Sequence, residues 1–288
     1  MGLDRRNFLK TLGVVGTTLA VGKGFGAPKG NKSDIEFRGV LYDSTRCLGC
    51  RACERLCAKV HGSPEPVKPK EGEIRKTDVD RRTVVNTYSN TSKGEVFVKK
   101  QCMHCNEPAC AAACLTEAMY KTKDGAVIWR GDKCMGCRYC MVSCPFNIPK
   151  FEYHSSNPTI TKCDMCYGRI KMGAVPTCVA GCPGEALTFG TRRELLAEAR
   201  KRIIETPKDY ADYIYGEHEA GGTGWLYLSS VNPEEVEFKT SLQNSSYPAL
   251  SKGFLYAVPS VFVLLPPALL GIYEATKNNH LNEEDEND

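Results

Sequence analysis

Cys134-Met-Gly-Cys-Arg-Tyr-Cys-Met-Val-Ser-Cys-Pro145 decides how the rest of the chain is read. Its spacing is C-x2-C-x2-C-x3-C-P. Three cysteines this close wrap one corner of a 4Fe-4S cube, and a fourth set back by three residues ligates a neighbouring cube. The run therefore predicts a pair of clusters, and the partner must come from elsewhere in the chain.

Three further quartets are present: Cys47, Cys50, Cys53 and Cys57; Cys102, Cys105, Cys110 and Cys114; Cys163, Cys166, Cys178 and Cys182. Quartets two and three are separated by 19 residues, the layout of a two-cluster ferredoxin in which the fourth ligands swap. Cys102, Cys105, Cys110 and Cys144 are then expected to hold one cluster, and Cys134, Cys137, Cys140 and Cys114 its neighbour. Quartets one and four remain, and the simplest closure pairs them: Cys47, Cys50, Cys53 with Cys182, and Cys163, Cys166, Cys178 with Cys57. The expectation is an α+β fold, a nested pair of two-cluster ferredoxin-like units with four 4Fe-4S clusters in a line and one C-terminal transmembrane helix. All sixteen cysteines are iron ligands in this reading, and none is left for catalysis.

Other chemistries fit the residues less well. Export would permit a disulfide scaffold, but the spacings repeat a metal-ligand pattern four times with no cysteine over. Zinc ribbons use C-x2-C pairs without a third cysteine two residues on. Attached haem needs C-x-x-C-H, whereas Arg51, Asn106, Arg138 and Tyr167 follow the second cysteines. A net charge of +4 with 25% charged residues makes no case for nucleic acid. There is no glycine-rich nucleotide fingerprint. The chain reads as a conduit for single electrons and not as a catalyst. Arg46, Arg51, Arg55, Lys133 and Arg138 lie among the ligands, where they can offset cluster charge or sit on the surface, and both can hold at once. His104 reads as a partly exposed loop histidine in preference to a donor to cluster sulfur. The eleven residues Tyr167 to Thr177 read as a basic loop, facing either a partner or solvent.

Asp4-Arg-Arg-Asn-Phe-Leu-Lys10 and the small apolar stretch after it read as a twin-arginine signal over 1–27. The four-cluster body is expected over 35–190 with an insertion at 58–98. Within it Thr83 to Tyr88 and Glu95 to Val98 look like strands, and Asp124-Gly125 marks a hairpin. Thr191-Arg-Arg-Glu194 is a capping box opening a helix to about Ile204, with Leu195, Leu196 and Ala199 on one face. It begins an extension over 191–250 that wraps the body, with a strand at Trp225 to Leu228. Gly253 to Tyr273 is 21 residues without a charge, about 31 Å as a helix and enough to cross a bilayer. The span is placed at 252–274, with Pro259, Pro266 and Pro267 as kinks, and an acidic tail at 275–288.

Leu41-Tyr-Asp-Ser-Thr45, Lys99-Lys-Gln-Cys-Met-His-Cys105, Gly136 to Pro145, Phe189-Gly-Thr-Arg-Arg-Glu-Leu195, Tyr215-Gly-Glu and Gly221-Gly-Thr carry a resemblance. They are similar to the iron–sulfur electron-transfer subunits of formate dehydrogenases. They resemble more closely the HybA-type subunits of membrane-bound nickel–iron hydrogenases. The resemblance covers nearly the whole chain. Departures are Ala58 and Leu115, where the family often has proline, and the 58–98 insertion. What it implies is a relay on the periplasmic face of the bacterial inner membrane, single-pass, with a cytoplasmic C-terminus. Its partners would be the hydrogenase small and large subunits and a multi-span membrane subunit that reduces quinone. The competing readings are the β-type subunit of a formate dehydrogenase or other molybdopterin oxidoreductase, and a metalloprotein whose clusters only hold the fold.

Overall fold

Arg38–Asp43 is a strand, β1, whose apolar run Val40-Leu-Tyr is sealed from solvent on both faces. Such runs mark central strands. In this computed structural model, which describes residues 36–284, β1 pairs antiparallel with Leu187–Thr191 and parallel with Trp225–Leu228. Ile214–Tyr215 adds the far edge, antiparallel to Trp225–Leu228.

Alternation divides the residues of this four-stranded sheet between two faces. Leu41, Leu226, Leu228 and Ile214 pack against Leu195 and Ala199 of the helix Arg192–Glu205. Val40, Tyr42, Trp225 and Tyr227 face the other way, into a core that also holds Cys47, Cys53, Cys105, Cys178 and Cys182. One face of the sheet is thus helix-covered, and the other is a wall of the cysteine region. The helix begins where the capping box predicts: Glu194 N–H donates to Thr191 Oγ1, and Thr191 N–H donates back to Glu194 Oε2.

The remaining strands form two-stranded hairpins. Met119–Lys121 and Val127–Trp129 turn through Asp124-Gly125 as expected. Lys150–Phe151 and Ile160–Thr161 form a short pair that the sequence did not signal. In the insertion, Thr83–Tyr88, β2, pairs with Val96–Gln101, β3, so the second of these strands runs three residues past the expected Val98. Its end, Lys99-Lys-Gln101, is polar, yet Lys99 and Gln101 are buried and hydrogen-bonded to each other. The helix Ala52–His61, α1, is tied to this hairpin through Glu54. Its Oε1 accepts from Val85 N–H and, at 2.6 Å, from Arg75 Nη2.

Tyr247–Glu284 is one helix that runs through Pro259, Pro266 and Pro267. Its segment Tyr247–Thr276 is long and apolar enough to cross a membrane, by length and composition. By contact density, the described residues up to 250 form one compact unit, and the helix from residue 251 onward belongs to a second. The twin-arginine segment and the end of the acidic tail lie outside the described residues.

The Glu54–Arg75 pair is 1–2% exposed at its side chains, so removing one partner strands a buried charge. Arg75→Met is expected to cost about 3–5 kcal/mol, read as a lowered unfolding temperature in a thermal-shift assay. An unchanged temperature would show that the pair does not hold the insertion to α1.

Candidate metal centres

Two cavities in the cysteine region are each lined by four thiols. One is lined by Cys47, Cys50, Cys53 and Cys182. The other is lined by Cys57, Cys163, Cys166 and Cys178. Local geometry delivers each ligand. Asp43, buried at the end of β1, accepts from Thr45 N–H at 3.0 Å and fixes the turn that ends at Cys47. Arg202 and Tyr210 hold the other carboxylate oxygen, each at 2.9 Å. Cys53 and Cys57 lie one turn apart on α1 yet line different cavities. The segment expected as a basic loop forms a helix, Tyr167–Lys171, where Arg169 Nε donates to Val175 O at 3.0 Å. Thr177–Ala180 follows and carries Cys178.

Quartets two and three also mix. Cys105 lies within reach of the charge on Cys102, Cys144 and Cys110. Cys140 lies within reach of Cys114, Cys134 and Cys137. Links between groups run in one order: Cys53 with Cys178, Cys163 with Cys102, and Cys110 with Cys140.

The backbone at each quartet has the same twist. The residue before the second cysteine has positive φ in all four: Gly49 +61°, His104 +50°, Gly136 +72° and Met165 +59°. Such alternations form nests that suit anions, Fe–S sites included. Several N–H groups already meet sulfur: Met119 donates to Cys114 at 3.3 Å and Met165 to Cys163 at 3.4 Å. Burial pushes the Cys53 and Cys57 thiols up to about 12, and Cys140 to about 11. At Cys166 the opposite holds: burial works upward, but hydrogen bonds from His61 and Thr177 outweigh it and lower the thiol. All sixteen cysteines are free thiols. Four thiols crowded around one cavity ionise together only when a cation replaces their protons, which is the demand a metal centre meets. The indole Nε1 of Trp225, which lines the second cavity, is buried without a protein partner. A sulfur-rich occupant fits that donor.

His104 corrects the sequence reading, because it is fully buried. Its Nδ1 accepts from Val127 N–H at 2.8 Å, and burial holds the ring neutral, well below its usual range. Nε2 therefore carries the proton, and it has no protein partner. Of the cations flanking the ligands, Arg51 lines the first cavity and Arg46 lies 3.6 Å from Asp43 Oδ2. Arg55 donates to Cys50 O at 3.1 Å, Arg138 lies over the rings of Phe151 and Tyr153, and Lys133 is exposed. The buried cations close to thiols are Lys99, Lys121 and Lys162. His61, whose Nε2 lies 3.3 Å from Asp164 Oδ1, was also missed. Its hydrogen bonds to Asp164 and Cys166 raise it to about 9. Nothing in the sequence links it to a residue so far along the chain.

A family model for a 4Fe-4S dicluster domain matches residues 94–192, spanning quartets two to four. A protein of Nitratidesulfovibrio vulgaris is 44% identical over 96% of this chain and 77% of its own length. Hydrogenase-2 operon protein HybA of Escherichia coli O157:H7 is 31% identical over 98% of this chain and 97% of its own. The iron-sulfur subunit of the nitrate-inducible formate dehydrogenase of Escherichia coli K12 is 31% identical over 65% of this chain and 66% of its own. The chain belongs to the HybA-type family of iron–sulfur electron-transfer subunits, and its cofactors are 4Fe-4S clusters.

The two nest glycines are expected to respond differently to a methyl group. At Gly136 the added Cβ meets only Phe151, at 4.0 Å, so Gly136→Ala carries the left-handed backbone strain alone, about 1–2 kcal/mol. At Gly49 it lies 2.4 Å from the Phe97 ring, so Gly49→Ala adds a clash. Thermal unfolding should rank Gly49→Ala clearly below Gly136→Ala; equal losses would refute this account of the turn.

Proposed function

We propose that the chain is the non-catalytic relay of a membrane-bound complex, passing single electrons between a periplasmic nickel–iron hydrogenase and a multi-span subunit that reduces quinone. When bound, each 4Fe-4S cluster takes up and gives back one electron without a bond being made or broken. The chain's own part is spacing, burial and tuning. In this reading Cys47, Cys50, Cys53 and Cys182 hold the first cluster, and Cys163, Cys166, Cys178 and Cys57 the second. Cys102, Cys105, Cys110 and Cys144 hold the third, and Cys134, Cys137, Cys140 and Cys114 the fourth. The inner pair of quartets forms one ferredoxin-like unit nested inside the other. The body occupies 35–190, the extension 191–250 wraps it, and the span over 252–274 anchors it. The twin-arginine signal over 1–27 sets it on the periplasmic face with its C-terminus in the cytoplasm.

The observation that carries the reading is the crossing of fourth cysteines. Cys182 lines a cavity with three thiols far earlier in the chain, and Cys57 does the converse. A purely structural cluster has no need of neighbours in file, whereas a relay does. All sixteen thiols are used, which leaves no iron short of a protein ligand. The hydrogenase assignment is supported by the end-to-end match to HybA, against a two-thirds match to the formate dehydrogenase subunit. The long apolar helix supports the anchor.

Membranes with and without this chain are to be assayed for hydrogen-dependent quinone reduction. The complex purified in mild detergent is to be assayed for nickel, molybdenum and iron. The expected result is loss of hydrogen-dependent reduction without the chain, nickel in the complex, and about four irons per quartet. Molybdenum without nickel, or formate-dependent reduction alone, would move the chain to a molybdopterin enzyme. Cys144→Ser should disturb the cluster of Cys102, Cys105 and Cys110 and leave that of Cys134, Cys137 and Cys140 intact; the reverse pattern in electron paramagnetic resonance would overturn the crossed assignment.

A further inference from the structure

Lys99 is an amine in the interior, 2% exposed at the inner end of β3. Its Nζ donates to Thr83 Oγ1 at 2.5 Å and to Gln101 Oε1 at 2.8 Å, and lies 4.7 Å from the centroid of the Trp225 ring. These partners are all neutral. Among the described residues, none of the ion pairs includes Lys99. A buried ammonium is costly unless something negative faces it.

What faces it is sulfur. Lys99 lines the cavity of Cys47, Cys50, Cys53 and Cys182, and it also lines the cavity of Cys57, Cys163, Cys166 and Cys178. Among the described residues, no other lines both. Cys53 of the first cavity and Cys57, Cys163 and Cys178 of the second are all close enough to act on its amine. The other two buried amines are held differently. Lys121 Nζ donates to the carbonyls of His104, Cys105 and Gly125, and Lys162 Nζ to those of Val127 and Cys163. Those two tie loops together. Lys99 binds no backbone carbonyl among its hydrogen-bond partners and is held only by side chains.

We propose that Lys99 is the common counter-charge of the clusters at Cys47, Cys50, Cys53, Cys182 and at Cys57, Cys163, Cys166, Cys178, and that it raises the reduction potential of both. This rests on the ligand sets proposed above. Reduction adds one electron to a cluster, and the amine of Lys99 stands beside both cavities where that charge would arrive. A fixed cation in a low-dielectric interior stabilises the more negative, reduced form. Thr83, Gln101 and Trp225 set where that cation stands, so Lys99 acts as a positioning residue for charge and never as a ligand. Because it adjoins both cavities, it moves two potentials together and keeps neighbouring stations matched for transfer in either direction.

The test is a potentiometric titration of the complete complex, followed by electron paramagnetic resonance, for the parent, Lys99→Met and Lys99→Arg. With sixteen irons retained, Lys99→Met is expected to shift two of the four midpoint potentials to lower values and to leave the other two in place. Lys99→Arg, which keeps the charge, is expected to stay near the parent. Unshifted potentials in a fully loaded Lys99→Met complex would overturn the proposal, as would an equal shift of all four. If Lys99→Met does not assemble, Gln101→Glu decides. It leaves the lysine in place but sets a carboxylate against its ammonium, so a smaller downward shift of the same two potentials supports the proposal and no shift overturns it. A parent complex with too little iron would instead refute the ligand sets, and iron content is read separately from the potentials.

Discussion

Four thiolates in one buried cavity repel each other and lose their hydration, and the structure is arranged around that difficulty. Burial alone pushes Cys53 and Cys57 up to about 12, far from the ionised state a metal needs. Iron supplies most of the missing positive charge. The chain supplies the remainder through backbone N–H groups turned by left-handed residues and through buried amines. Each device appears where the crowding is worst: Gly49, His104, Gly136 and Met165 precede the second cysteine of their quartets, and Lys99 adjoins two quartets at once.

That demand explains the asymmetry of the central sheet. A strand buried on both faces ordinarily packs hydrocarbon on each. Here Leu41, Leu226 and Leu228 meet the helix Arg192–Glu205 in the usual way. The other face presents Tyr42, Trp225 and Tyr227, large rings that carry a polar atom. Tyr42 is itself raised by burial and by Cys47, so its hydroxyl stays a donor, and it reaches Phe97 O at 2.7 Å. The wall behind the cysteines is rigid, apolar enough to exclude water, and supplied with donors. A reduction potential set by charge and burial needs a wall of that kind.

The cofactor was legible because cysteine spacing encodes it directly. So were elements with strong local signals: the hairpin strand Thr83–Tyr88, the Asp124-Gly125 turn, the Thr191–Glu194 capping box and the strand Trp225–Leu228. The central strand Arg38–Asp43 was not legible, because three apolar residues with no flanking periodicity do not name their partners, and those partners lie at 187–191 and 225–228. The buried amines were not legible for a related reason. Arg51, next to a cysteine in sequence, does line the first cavity, but it is the packing of Lys99 between two cavities that sequence spacing does not signal. Lys99-Lys-Gln101 has the hydropathy of a loop, and only the pairing of Val96–Gln101 with Thr83–Tyr88 turns its first and third residues inward.

One regularity links the spacing to the line of clusters. In every quartet the third and fourth cysteines are four residues apart: 53 and 57, 110 and 114, 140 and 144, 178 and 182. Each such pair is carried by a helix or starts on one. Four residues of α-helix rise by about 6 Å and return to the same face. In the ligand sets proposed above, a single turn would hold one cluster at its start and offer a ligand to the next at its end. Neighbouring clusters would then be joined by a hydrogen-bonded turn and not by a loop. The short helices would draw their stability from the metal at both ends. The insertion at 58–98 sits outside these turns and can vary among relatives without altering the spacing, whereas an added residue between Cys53 and Cys57 would break the line.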